Sequence, residues 1–220
     1  MTIGEDGRSP DRDTKVLGVL LAGGLARRMG GGDKSLTMLG GRSMLERIID
    51  RARPQVSNLI INANGEPERF SDYGLEVVPD VIGDFAGPLA GVLTGLEWAA
   101  ATSPDVDWVA TFATDAPFVP MDFVAWLQGA VERENAELAC ATSNGRTHPV
   151  FGLWPVSLAG DLRRAMTEED MRKIDRWTAR YKLIEVDFST VPFDPFFNIN
   201  DKGNLAEAER LLSSEERGAA

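Results

Sequence analysis

The chain has 220 residues, 43% hydrophobic and 26% charged, ordinary proportions for a globular protein that buries a core without disulfides. One cysteine (Cys140) and one histidine (His148) exclude a disulfide framework, a Cys/His zinc cage and a Cys-ligated iron–sulfur cluster built within the chain. With 23 basic against 34 acidic residues the net charge is −11, which argues against general binding to nucleic acid or anionic membranes.

Residues 1–14 read as a disordered leader, and Met1–Asp13 carry no apolar core of a signal peptide. No apolar stretch approaches the ~20 residues that span a bilayer, so a cytoplasmic protein is expected. Lys15–Ala22 is a near-continuous apolar run, as in a parallel strand covered on both faces. Ser43 is placed to cap a helix through about Arg53 whose inner face carries Met44, Leu45, Ile48, Ile49 and Ala52. Asn58–Asn62 and Leu75–Val78 read as strands, and Pro88 suits the first turn of a helix to about Ala101. Asp107–Ala113 is a further strand and Met121 to about Asn135 a further helix. The second half is less regular: strands at Leu138–Thr142 and Pro149–Trp154, helices near Leu158–Met166 and Met171–Tyr181, a strand at Leu183–Val186. A last helix starts near Asn204, with residues 213–220 as a frayed tail. The alternation predicts one three-layer α/β domain over 15–212, Rossmann-like, with a mostly parallel twisted sheet. Cys140 and all five tryptophans fall in apolar patterns and are expected in the core.

The loop after the first strand is Leu21-Ala-Gly-Gly-Leu-Ala-Arg-Arg-Met-Gly-Gly-Gly-Asp-Lys34. In an open α/β sheet it lies at the carboxyl edge, where ligands bind. Gly23 and Gly24 let backbone N–H groups approach an anion, and Arg27, Arg28 and Lys34 add cationic donors, a combination suited to a triphosphate. It matches neither common fingerprint: Asp33 stands where a P-loop has glycine, and no G-x-G-x-x-G occurs. Asp115, just past a strand end and before Ala116-Pro117, faces the same edge. There it either helps hold Mg2+, which takes one or two carboxylates with phosphate and water, or caps the turn. Asp80, in the loop Asp80-Val-Ile-Gly-Asp84, has the same turn-capping reading.

The string Leu21-Ala22-Gly23-Gly24…Arg28-Met29-Gly30…Asp33-Lys34 resembles the signature of glycosyltransferase-A-like nucleotidyltransferases, and among them the molybdenum cofactor guanylyltransferases. Asn62 in Ile61-Asn-Ala-Asn64, Asp80 after Val77-Val-Pro79, Gly87-Pro-Leu-Ala-Gly91 and Thr114-Asp-Ala-Pro117 follow in the family's order. The resemblance implies transfer of GMP from GTP to molybdopterin with release of pyrophosphate, Mg2+ as cofactor, and contacts with proteins of cofactor synthesis or molybdoenzyme maturation. It implies Leu21, Ala22, Gly23, Gly24, Lys34, Asn62, Asp80 and Asp115 as nucleotide-binding residues, Arg28, Lys34 and Asp115 as catalytic ones, and Asp115 as the metal ligand. Asn198 and Asn200 resemble a late Asn-x-Asn pattern at the acceptor side or metal shell. Here Asp201-Lys-Gly-Asn follows where the family often has Thr-Pro-Glu; Asp201 can still cap a helix. His148, before Pro149, resembles the acceptor-side segment or finishes a turn. Similar cytidylyltransferases usually read Leu-Ala-Ala-Gly, so Gly23 implies room for a purine. A cytidylyl- or sugar-phosphate nucleotidyltransferase of the same fold, or a non-catalytic nucleotide-binding regulator, are the alternatives.

Overall fold

The computed structural model of the chain describes residues 15–23, 33–83 and 87–218, and side chains through Ser213. The expected leader, Gly24, Arg27 and Arg28 lie outside the described residues. In chain order the elements are β1 (Lys15–Leu21), β2 (Met38–Leu39), β3 (Arg42–Ser43), α1 (Met44–Ala52), β4 (Asn58–Asn62), β5 (Glu76–Val78) and α2 (Pro88–Thr102). Then come β6 (Val106–Ala113), α3 (Phe123–Glu134), β7 (Leu138–Ser143), β8 (Arg146–Pro155), α4 (Ala159–Glu168), α5 (Ile174–Thr178), β9 (Leu183–Asp187) and α6 (Lys202–Gly218).

The apolar run of β1 is central because both of its faces are covered. Among the described residues, seven strands form one sheet in the order β5-β4-β1-β6-β8-β7-β9. All run parallel except β8, which pairs antiparallel with β6 and β7. One face packs against α1 and α3 through Leu45, Ile48, Phe112, Phe123 and Leu127. The other packs against α2, α4 and α5 through Leu17, Val19, Leu93, Leu96, Leu162 and Trp177. Helix α2 packs directly on the sheet through a face that carries Gly91 and Gly95. A Cβ on Gly95 would sit 2.6 Å from Val19 Cγ2, and one on Gly91 would sit 2.4 Å from Asn62 Oδ1. The expected helix cap is present as a capping box: Ser43 Oγ accepts from Glu46 N, and Glu46 Oε2 accepts from Ser43 N.

Several boundaries differ from the sequence reading. Gly40 and Gly41, at φ 54° and 77°, make a tight turn between β2 and β3, a hairpin the periodicity did not reveal because each strand has only two residues. The helix expected over 171–181 is only Ile174–Thr178. Met171 N bonds back to Ala165 O after Asp170 adopts φ 53°, so the chain reverses before helix can resume. Helix α6 runs on to Gly218, past the tail expected from 213, since Ser213-Ser-Glu-Glu-Arg217 holds no breaker. Cys140 is buried as expected, and burial pushes its thiol up to about 12, which leaves it un-ionised at neutral pH. Trp154 and Trp177 are fully buried, but Trp126 is exposed on the outer face of α3, where its Nε1 donates to Asp122 Oδ2 at 2.8 Å. No helix among the described residues is long and apolar enough to cross a membrane.

Candidate active site

The carboxyl ends of β1, β4 and β6 open onto a cleft of about 350 Å³. Leu21 and Gly23 form its floor, Asn62, Asn64 and Asp80 one wall, and Asp115 the opposite wall, with the N-terminus of α2 at Gly87 and Pro88 between them. A helix N-terminus brings positive potential to such a cleft. Ala22 is buried toward the α1–α3 core and does not line the cleft; its N–H donates to Asn62 O at 2.9 Å.

The first wall is a closed hydrogen-bond network. Asn62 Nδ2 donates to Asp80 Oδ1 at 2.9 Å and to Val78 O at 3.2 Å. Asn64 Nδ2 donates to Asp80 Oδ2 at 2.8 Å, and its Oδ1 accepts from Asp80 N at 2.9 Å. The hydroxyl of Thr94, buried in α2, accepts from Val81 N at 3.1 Å and fixes the segment after Asp80. Asn64 was not singled out from the sequence. The available signal was its i, i+2 spacing from Asn62, which puts both on one side of an extended segment.

The second wall is charged. Lys34 opens a short 3₁₀ turn (Lys34–Leu36) that Asp33 caps by accepting from Ser35 N at 3.0 Å and Ser35 Oγ at 2.7 Å. The Lys34 ammonium donates to Asp115 Oδ2 at 2.6 Å and to Asn200 Oδ1 at 2.5 Å. Asn200 is delivered by its neighbour: Ile199 is fully buried against Leu39, Phe118 and α6, and its N–H donates to Asp115 O at 2.8 Å. Asp201 caps the next helix as expected, accepting from Asn204 N at 2.9 Å. The alternation that buries Ile199 leaves Asn198 exposed, with no hydrogen bond to a described side chain.

His148 stands at the amino end of β8, on the same sheet edge but among different partners. Its Nε2 lies 2.7 Å from Ser143 Oγ, which donates to Asp194 Oδ1 at 2.9 Å. A carboxylate only accepts, so the hydroxyl proton goes to Asp194 and the ring must donate from Nε2. We assign the Nε2–H tautomer, with Nδ1 as an acceptor. Burial, assisted by Arg146 and opposed by Asp194, lowers the pKa of the ring below the ordinary histidine value. Phe196 lies against the imidazole at 4.7 Å between centroids.

The structure thus brings Leu21, Gly23, Asn62, Asp80 and Asp115 to one cleft, with Lys34 joined to it through Asp115 and Asn200 through Lys34. His148, on β8, has Ser143 and Phe196 as partners instead, and Asn198 is exposed beside Ile199 without a hydrogen bond to a described side chain.

Comparison with known proteins agrees with this architecture. Residues 18–183 match the family model described as the MobA-like NTP transferase domain. A molybdenum cofactor guanylyltransferase of Bradyrhizobium sp. (strain ORS 278) is 54% identical over 206 residues, covering 94% of this chain and 97% of that protein. The crystal structure of molybdopterin-guanine dinucleotide biosynthesis protein A from Archaeoglobus fulgidus superposes with a TM-score of 0.72 at 24% identity, over 90% of this chain and 99% of that one. The 4-diphosphocytidyl-2C-methyl-D-erythritol synthase of Anaerococcus prevotii also superposes, with a TM-score of 0.68 at 12% identity over 91% and 99%, so the fold alone does not choose a base. The sheet order, the cleft and the family match lead to one conclusion: this chain belongs to the MobA-like nucleotidyltransferase family.

Proposed function

We propose that the chain transfers GMP from GTP to molybdopterin, as a cytoplasmic enzyme that makes contacts with proteins of cofactor synthesis or molybdoenzyme maturation. The observation that carries the reading is the convergence of Lys34, Asp115 and Asn200 opposite the Asn62–Asn64–Asp80 wall, in a chain 54% identical to a molybdenum cofactor guanylyltransferase. The nucleoside is assigned to the Asn62–Asp80 side and the phosphates to the Lys34–Asp115 side.

An oxygen of the acceptor's terminal phosphate attacks the α-phosphorus of GTP in line. The bond to the bridging oxygen breaks, and pyrophosphate leaves with the electron pair. Such transfers depend on positioning and charge neutralisation, so no protein nucleophile is needed. Lys34 offsets charge on the triphosphate and the departing pyrophosphate, with Arg28 assigned the same task from its place in the loop. The backbone at Leu21–Gly24 shapes the guanine and phosphate site, and Asp80, held rigid by two asparagines, receives the nucleoside. His148, Asn198 and Asn200 are assigned to the acceptor side or the metal shell.

The reading implies Mg2+. Asp115 would hold the ion together with phosphate oxygens and water, since Mg2+ takes only one or two carboxylates. No cluster of three His, Cys, Asp or Glu side chains stands among the described residues, and Asp115 Oδ2 is hydrogen-bonded to the Lys34 ammonium. Bound there, the ion would neutralise phosphate charge.

Pyrophosphate release from GTP, measured with and without molybdopterin, tests the proposal. Release that requires the acceptor supports it; GTP binding without turnover would favour the regulator instead.

A further inference from the structure

Arg69 lies outside every motif above, yet its side chain joins the two walls of the cleft. It stands in the 3₁₀ segment Pro67–Tyr73. Its Nε donates to Asp33 Oδ2 at 3.0 Å, its Nη2 to Asn64 O at 2.7 Å, and its Nη1 to Glu66 O. The guanidinium packs 4.4 Å above the ring of Phe70, which is fully buried and anchors the segment. Side-chain exposure is 28% for Arg69 and 11% for Asp33, so the pair is largely screened from water.

Two of these partners, Asp33 and Asn64, serve opposite walls. Asp33 caps the turn that aims Lys34 at Asp115 and Asn200, and its other oxygen is committed to Ser35. Asn64 clamps both the side chain and the backbone N–H of Asp80. The planar fork of an arginine can hold a carboxylate and two carbonyls at fixed separations, which a lysine ammonium cannot do from one point.

We infer that Arg69 is a positioning residue that fixes the spacing between the Lys34 side and the Asp80 side of the cleft, so that the nucleotide meets both walls already in register. The inference rests on the proposed nucleotide site but not on the identity of the base. It acts through its partners, so its removal weakens ground-state nucleotide binding more than the chemical step.

The test compares wild-type protein with Arg69→Met and Arg69→Lys. In the free protein, amide hydrogen exchange at Asp80 and across 64–66 should rise in Arg69→Met, because the Asn64 and Glu66 carbonyls lose their pins. Calorimetry without acceptor, run with GTP, CTP and ATP, should show about tenfold weaker binding of whichever nucleotide the wild type prefers, with kcat kept within about threefold. Arg69→Lys should fall between the two, since it keeps a charge near Asp33 but cannot reach both carbonyls. In an Asn64→Ala background, Arg69→Met should add less than about twofold, because the two act in one chain of contacts. Unchanged exchange at Asp80, wild-type binding by Arg69→Lys, or multiplying effects in the double variant would overturn the inference. A wild type that prefers CTP would sink the guanylyl reading while leaving the Arg69 result to be read with CTP.

Discussion

The ammonium of Lys34 lies 2.6 Å from the carboxylate of Asp115, 81 residues away in sequence, and the same ammonium reaches Asn200. The 3₁₀ turn at Lys34, the end of β6 and the segment before α6 meet at this one cation. A cation held by two oxygen donors beside an open cleft is arranged for phosphate.

Asp115→Asn should reduce transfer by more than about a hundredfold, since charge stabilisation at such sites supplies several kcal/mol. The fold should survive, because the contact that positions Ile199 uses the Asp115 backbone carbonyl, which the substitution keeps. Turnover with GTP and Mg2+, beside a thermal melt, checks both. A folded variant with near-normal turnover would remove Asp115 from the site.

Lys34→Ala should weaken GTP binding about ten- to hundredfold, the ~1.5–3 kcal/mol typical of a charge-assisted hydrogen bond. Calorimetry reads it directly. A change under about twofold would mean that Lys34 serves only Asp115 and Asn200.

Gly91→Ala and Gly23→Ala make the same substitution with opposite expected results. At Gly91 a helical alanine would ordinarily gain ~1 kcal/mol, but its Cβ would sit 2.4 Å from Asn62 Oδ1 and 2.5 Å from Leu21 Cδ2. Overpacking of that kind costs ~1–3 kcal/mol, so the clash outweighs the propensity and both stability and nucleotide binding should fall. At Gly23 no described atom lies within 4 Å of a Cβ, so stability should be unchanged while the cleft loses room. GTP use should then drop by ~1–3 kcal/mol in kcat/KM, and CTP use by less. Denaturant melts and steady-state kinetics on the two variants separate the effects.

His148 is the single histidine, which isolates its titration. Its folded pKa is lowered by burial, so the unfolded chain takes up the proton first as pH falls. The stability from the neutral ring is therefore complete above about pH 6.5 and lost as pH falls from there through the lowered folded value. His148→Gln can keep a donor to Ser143 without that titration. Its melting temperature should fall less than the wild type's between about pH 7 and 5, the histidine range. Parallel profiles would refute the assignment of a neutral ring.

Much of this was legible in sequence because it is local. The apolar run of β1, the helix cap Ser43, and the carboxylate just beyond β6 each announce themselves within a few residues. The network around Arg69 does not, since Asp33 is 36 residues away and only the packed sheet brings them together. The Gly40-Gly41 hairpin carried a turn signal but strands too short to show alternation. Trp126 misled because an apolar helical pattern does not say which tryptophan faces out. Gly24 and Arg28, prominent in the motif, lie outside the described residues, so their roles rest on sequence alone.

The most direct test offers the protein equal GTP, CTP and ATP with molybdopterin and Mg2+, and identifies the dinucleotide formed by mass spectrometry. The account predicts the guanine dinucleotide as the main product, and loss of that product in Asp115→Asn. A cytosine dinucleotide in equal or greater amount, or undiminished guanine product from Asp115→Asn, would contradict it.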